Sequence, residues 1–326
     1  MAGKVLRWVF LGIGIAILIL VLTEIDLVWL FTQLKYFGWL SFSIVLGIYL
    51  LAFWLDAVSW TLAIEDIPIS WIWTWRTFAA RIAGEAYNAL IPAAGMGGEP
   101  TKAYILKRRF GVDLKASGAS LVIAKTVNMI ALIAFLIGGF LLIQSMNTFP
   151  ETLRTMAGLG LSLFVVGTTA LLLLQRFRLT SRLALHLAKR SERLWVHRTL
   201  ANLEEVDRIF VKFYQDRSNR FGCALALAFA NWLLGMIEIY VVMLFLGHPI
   251  DWSMAWVIEA ATQMVRTAAF FIPAAIGVQE GTFLIICGLL TGSPDIGVAA
   301  ALIRRAREII WIIIGLIFAT VLNKNP

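Results

Sequence analysis

The chain has 326 residues, 60% of them hydrophobic and only 15% charged, with a formal net charge of +8. Soluble domains carry about 45–50% apolar and about 25% charged residues, and a core of this size could not hide the excess from water. A soluble enzyme is excluded, and the composition points to a polytopic membrane protein. Cys223 and Cys287 lie in apolar runs and make no disulfide framework, and His186, His197 and His248 fit no metal-ligand spacing. No P-loop, dinucleotide-binding GxGxxG or nucleophile-elbow GxSxG motif is present. No metal, cofactor or catalytic residue is therefore expected.

Apolar stretches of about 17–25 residues can cross the hydrocarbon core as helices. Six occur, at 5–22, 40–64, 117–144, 154–175, 221–247 and 296–322. The first follows Lys4 and Arg7 like a signal peptide, but its apolar run exceeds the h-region length of about 7–15 residues and reads as an anchor. Orientation follows the basic loops. Lys102, Lys107, Arg108, Arg109 and Lys115 crowd one loop, and the linker 176–220 is rich in arginine and lysine, whereas 23–39, 145–153 and 248–252 hold few basic residues. Both termini and both basic loops are placed in the cytoplasm, which makes this a multi-pass protein of the cytoplasmic (inner) membrane. Tryptophans 8, 29, 39, 71, 73, 75 and 252 fall near span ends, as an interfacial belt would. In the linker, Leu183, Leu187, Leu194, Leu203, Phe210 and Phe213 recur among basic residues, the pattern of amphipathic helices on the inner surface. With spans on both sides, nucleic acid is not an expected partner.

The chain repeats itself. Residues 91–100 read IPAAGMGGEP and 272–281 read IPAAIGVQEG, sharing Ile, Pro, Ala, Ala and a later Glu at an offset of 181. The match extends back to Ala79-Ala80 over Ala260-Ala261; a two-residue slip puts Lys125 over Arg304 and Asn128 over Arg307. Each half has a full span, a Pro/Gly-interrupted segment and another full span. Pro92 with Gly97 and Gly98, and Pro273 with Gly277 and Gly281, break segments 75–100 and 252–291. Read as re-entrant hairpins, the first enters from the cytoplasm and the second from outside, so the halves have opposite topology. The fold expected is an all-α polytopic membrane protein, six transmembrane helices plus two re-entrant helical hairpins in an inverted repeat. Its parts are an N-terminal anchor and loop (1–39), a first repeat (40–145), a linking span with the basic amphipathic segment (146–220) and a second repeat (221–326). Broken helices at membrane depth commonly line a transporter's binding site; ordinary kinked spans are the alternative.

GEAYNALIPAAGMGGEPTKAYILKRR (84–109), with the helix of Lys125, resembles the first conserved block of the lysylphosphatidylglycerol synthase transmembrane-domain, or flippase-like, family. PAAIGVQEG (273–281) with LIRRAREIIW (302–311) resembles the second, and the likeness covers nearly the whole chain. The resemblance implies lipid movement in the membrane, and the GEAxNxLxP form is closest to the hopanoid-transport-associated branch. The chain looks like a stand-alone member without the soluble transferase domain, so transferase chemistry is not carried over. Phospholipid, polyprenyl phosphate, glycolipid and hopanoid are the lipids the family implies, with an envelope or glycosyltransferase partner and a homodimer compatible with it.

Ionisable residues at membrane depth are costly, so each is a functional candidate. Lys125, Asn128, Arg304, Arg305, Arg307, Asn88 and Gln279 are the candidate head-group ligands, because guanidinium suits an anionic phosphate. Glu99, Glu280, Glu85 and Glu308 are the candidate proton-exchanging or hairpin-capping carboxylates, with Glu99 and Glu280 expected to approach one another. Arg266 stands over Glu85, which suggests an inter-repeat ion pair, and Glu259 is a further partner of that kind. Asp56, Glu238, Lys102 and Arg109 rank second. The leading expectation is a lipid flippase of the bacterial cytoplasmic membrane working by alternating access. A non-transporting scaffold or partner subunit, or an integral-membrane lipid-modifying enzyme with Glu99 and Glu280 as acid and base, are the alternatives.

Overall fold

The computed structural model describes residues 19, 27–65, 67–90, 97–177, 207–216 and 218–323. The predicted first span at 5–22, most of the basic linker and Pro92 lie outside the described residues. The described part is helical, with no strand in it. In chain order the helices are α1 (Leu27–Ala63), α2 (Trp71–Leu90), α3 (Glu99–Phe110), α4 (Leu114–Ser145), α5 (Glu151–Arg176), α6 (Ser218–Phe245), α7 (Trp252–Ala268), α8 (Val278–Thr291) and α9 (Pro294–Asn323). One π-helical turn, Lys212–Asp216, leads into α6, and a turn at Pro273–Ala275 separates α7 from α8.

Local chemistry sets many of the boundaries. Gly38 interrupts α1 with φ 68° and ψ 167°, a backbone state glycine reaches without a Cβ penalty. Ser70 precedes α2, and its hydroxyl accepts from the Trp73 N–H. Gly98 and Pro100 open α3, whose last turn of Lys107, Arg108 and Arg109 suits the negative end of the helix dipole before Gly111 turns left-handed at φ 72°. Asp113 caps α4 by accepting from the Lys115 N–H at 2.9 Å. Pro294 begins α9, where a missing N–H costs nothing.

Among the described residues five stretches are long and apolar enough to cross a membrane: Leu30–Ala63, Leu114–Ser145, Glu151–Leu174, Ser218–Phe245 and Pro273–Thr291. Four coincide with predicted spans; the fifth is the second half of the expected second hairpin. The predicted span at 296–322 forms the 30-residue α9, which carries Arg304, Arg305, Arg307 and Glu308 in its middle and so falls short on apolarity rather than on length. This is a multi-pass helical membrane protein. On α5, Met156, Leu159, Leu163 and Val166 are exposed, and Trp39, Trp71, Trp75 and Trp252 are exposed as well, which suits lipid-facing and interfacial positions.

Helices meet where side chains are small, as membrane packing favours. Gly315 of α9 sits against α2: a Cβ there would stand 2.5 Å from the Ile82 carbonyl oxygen and 2.9 Å from the Ala86 Cβ. Gly139 of α4 meets Ala260 of α7 in the same way. Beside it the Phe135 and Trp256 rings stack at 5.0 Å, and the Trp256 indole donates to the Phe135 carbonyl at 2.9 Å. Ser59 donates to the Ala224 carbonyl at 3.1 Å and the Trp60 indole to the Ser120 hydroxyl at 3.1 Å, tying α1 to α6 and α4. Helices α2 and α7 start at Trp71 and Trp252, the offset of 181 already seen in the sequence. With α1, α6 and α9 packed around them, they bring the intramembrane charges together.

Candidate functional site

Helix α9 supplies the densest run of charge. Arg304 and Arg307, three residues apart on one face, are 4% and 1% exposed and need partners at once. Arg304 donates from both Nη atoms to the two oxygens of Glu259 on α7, at 2.7 and 3.0 Å, the bidentate fork that guanidinium favours. Arg307 is bonded to Glu238 on α6, and the Arg304 Nε lies 3.9 Å from the same carboxylate. Gln263, one turn beyond Glu259, donates to it at 2.7 Å. Arg305 faces the turn before α8. It donates to Glu280 from Nε and Nη2 at 2.9 and 2.7 Å, and from Nη1 to the Ala274 carbonyl at 3.0 Å and to Glu308 at 2.8 Å. Arg266 donates to Gln279 at 2.8 Å and to Glu308 at 3.3 Å.

A second group lies on α1, α2 and α3. Arg81 binds Asp56 through Nε and Glu85 through Nη1, and Asn88 donates to Glu85 at 3.4 Å. The Asn88 side-chain Oδ1 accepts from the Gly98 N–H at 2.7 Å, fastening the start of α3 to the end of α2. Gly98 packs on the Gly84 backbone, and the Lys102 stem lies across Gly84. Lys102, 6% exposed, donates to Glu99 at 2.9 Å.

The two groups meet at aromatic rings of α1. The Arg307 guanidinium lies 3.6 Å from the Tyr49 ring centroid and that of Arg81 lies 5.2 Å from Phe53, while the two rings are edge-on at 4.7 Å. Phe53 also packs edge-on against Trp311 at 5.1 Å. In these contacts seven carboxylates (Asp56, Glu85, Glu99, Glu238, Glu259, Glu280, Glu308) face six cations (Arg81, Lys102, Arg266, Arg304, Arg305, Arg307). Every one of those cations is engaged by at least one carboxylate.

Most of the predicted residues belong to this assembly, with corrections. Lys125 is exposed on α4 rather than buried like Arg304, and Asn128 is half-buried, its carbonyl accepting from the Trp232 indole at 3.4 Å. The sequence match thus does not carry side-chain placement across the halves: the slip of two residues in the alignment turns the α4 positions to another face. Glu85 and Arg266 do not pair. Glu85 is taken by Arg81 on its own helix one turn away, and Arg266 by Gln279 and Glu308. Glu259 serves Arg304 of the same half instead of bridging the halves. Glu99 and Glu280 each hold a cation of their own, Lys102 and Arg305. Asp56 and Glu238, placed second in sequence, are direct partners of Arg81 and of Arg307. Gly281 is no break: its N–H bonds the Gly277 carbonyl in the first turn of α8. Gly277 does turn the chain, at φ 78°, and Pro273 opens the preceding turn. Gly97 lies in the turn before α3, and Arg109 is half-buried in its last turn.

Two residues escaped the sequence reading. Arg81 carried a legible signal, an (i, i+4) spacing to Glu85 within an apolar helix. Tyr49 carried none, since its place over Arg307 exists only once α1 and α9 pack. No group of three His, Cys, Asp or Glu side chains among the described residues is arranged to hold a metal ion. A cavity of about 430 Å³ between α4 and α5, lined by Phe140, Gln144, Glu151, Arg154, Thr155 and Gly158, includes none of the predicted site residues.

No curated protein and no solved structure matches the chain. One family model does, over residues 8–316, and those bounds take in both charged groups and every helix named above except the last turns of α9. The chain belongs to the family of the lysylphosphatidylglycerol synthase TM region.

Proposed function

We propose that this protein is a lipid transporter of the bacterial cytoplasmic membrane, with both termini in the cytoplasm. A phosphate-bearing head group would be handled where α2–α3 and α7–α8 form opposed re-entrant hairpins. The observation that carries this reading is the buried arginine cluster of α9, matched by carboxylates from α6, α7 and α8 inside a bundle of apolar helices. Charges at this depth are costly, and a protein with only a structural task gains little from so many. The family and the helical membrane fold fit a lipid-related role. Because the cations are already paired, the head group enters by exchange: it takes a guanidinium while the released carboxylate keeps another donor. Rocking of one half against the other would then expose the site to each side in turn.

The complete pairing also favours one rival, a rigid scaffold held together by its ion pairs. Reconstitution separates them. Proteoliposomes carrying a fluorescent phospholipid analogue and treated with an impermeant quencher lose signal from the inner leaflet only if lipid crosses. The wild-type protein is expected to extend quenching to the inner pool, and Glu280→Gln, which keeps shape but removes the charge facing Arg305, to slow it at least tenfold. Quenching that stops at the outer pool across a panel of phospholipid, polyprenyl-phosphate and glycolipid analogues would put the scaffold reading first.

A further inference from the structure

Among the three arginines of α9 the side chain of Arg305 is 17% exposed, against 5% for Arg304 and 1% for Arg307. It is the member of the trio an incoming anion reaches first. Arg305 also grips both ends of the turn that starts α8. Nη1 holds the Ala274 carbonyl, while Nε and Nη2 hold Glu280, whose other oxygen accepts from the Gly277 N–H at 2.8 Å. Within that grip Ala274 and Ala275 have φ of 51° and 49°, the left-handed region that a residue with a Cβ avoids. Such backbone persists only where the surroundings hold it. Next to Glu280, Gln279 is fully buried; its Oε1 accepts from Arg266, and its Nε2 has no hydrogen-bond partner in the described structure. That leaves a buried donor waiting for an acceptor.

We propose that Arg305 is the residue that receives the phosphate of an anionic head group, and that in doing so it releases the Pro273–Gly277 turn. This deepens the transport reading above and rests on it. The phosphate oxygens match the Nη1/Nη2 fork. Arg305 then gives up Ala274, Glu280 and its Nη1 bond to Glu308, which keeps Arg266 and Arg307. Glu280 is not orphaned, since it still caps the positive end of α8 through Gly277. Ala274 and Ala275, no longer clamped, relax out of the left-handed region, and the turn opens. Head-group capture and hairpin movement thus become one event.

The test uses the full chain with Cys223→Ser and Ala275→Cys, in phosphatidylcholine nanodiscs with or without phosphatidylglycerol, and follows maleimide labelling. Ala275 is 7% exposed, so labelling reports release of the turn. Labelling is expected to be slow in phosphatidylcholine and roughly tenfold faster with phosphatidylglycerol, the scale of losing one charge-assisted hydrogen bond. Adding Arg305→Ala should make it fast in both. Inorganic phosphate added to phosphatidylcholine discs reports the source: acceleration by it as well means that free phosphate suffices, and acceleration by the lipid alone means that a membrane-anchored head group is required. A wild-type rate that neither probe changes overturns the proposal. So does an Arg305→Ala protein that labels as slowly as the parent, or one that still speeds up with phosphatidylglycerol. Should Arg305→Ala fail to fold, Ala274→Gly decides, because a relaxed turn has less to release and should blunt the acceleration. These outcomes judge the latch directly; a wild-type protein that moves no lipid in the proteoliposome assay would instead defeat the transport reading.

Discussion

At the scale of single residues the Arg304–Glu259 fork shows how buried charge behaves. Removing one member of a buried pair strands the other without water, which costs about 3–5 kcal/mol, whereas replacing both by apolar side chains is often neutral or better. Arg304→Leu leaves Glu259 with only the Gln263 amide and Glu238 with only Arg307. It is therefore expected to lower the thermal midpoint strongly, and Glu259→Leu likewise. The Arg304→Leu/Glu259→Leu double variant should recover most of the loss. A double-mutant cycle on midpoints in detergent measures this, and a double variant as unstable as the sum of its parts would contradict the pairing. The need for partners was legible in the sequence, because arginines and glutamates at membrane depth cannot stay alone. Which carboxylate serves which arginine was not. Glu85 faced Arg266 by alignment, yet it pairs with Arg81 because four residues on one helix bring side chains closer than any correspondence between halves. Asp56 and Glu238 lie on α1 and α6, far along the chain from Arg81 and Arg307, and nothing local marks their roles.

At the scale of elements, two glycines in apolar helices carry opposite expectations. Gly315 faces the Ile82 carbonyl of α2, backbone that cannot step aside, and the Ala86 Cβ. Gly315→Ala must push α9 from α2, where Arg81 and Arg307 approach the α1 aromatics from opposite partners. Overpacking of this kind costs about 1–3 kcal/mol. Gly47 has nothing within 4 Å of the position its Cβ would take, and it lies in the body of α1. Gly47→Ala is expected to be neutral or stabilising by about 0.4–1 kcal/mol through the unfolded chain. Melting of the two variants side by side checks this; equal midpoints would mean that α2 and α9 do not meet at Gly315. Helix positions themselves were largely readable, since long apolar runs and Gly/Pro punctuation place α4, α5, α6 and the end of α1 within a few residues of the predicted spans. The start of α1 was not readable: Leu27–Phe37 continues the helix across Gly38 into what the sequence presents as a loop. Its Leu30 and Phe37 are buried in the core shared with α4, α6 and α7, a tertiary gain that polar neighbours conceal.

At the scale of the whole molecule the proposed mechanism depends on the orientation of the two halves with respect to the membrane. Repetition of sequence does not say whether two halves run in the same or in opposite senses; only the number of crossings between them does. In the proposed topology, if α7 and α8 form a hairpin that returns to the side it entered from, the loop between α8 and α9 would lie outside and the loop following α3 in the cytoplasm. Pro273–Thr291 is nonetheless apolar and long enough to cross unaided, and such a crossing would bring the α8–α9 loop to the cytoplasmic side. A single cysteine at each place decides it. In a Cys223→Ser background, Ser293→Cys is expected to react with an impermeant maleimide on intact cells. Lys107→Cys, exposed in the last turn of α3, should react only after the membrane is opened. Reaction of both from outside, or of neither, would mean that the halves share one orientation. The arginines of α9 would then serve a site open to one face, and rocking between inverted halves would lose its basis. Opposite labelling instead relates the two halves by a pseudo-two-fold axis in the membrane plane, so that motion of either against the other would expose the same charged centre to each side in turn.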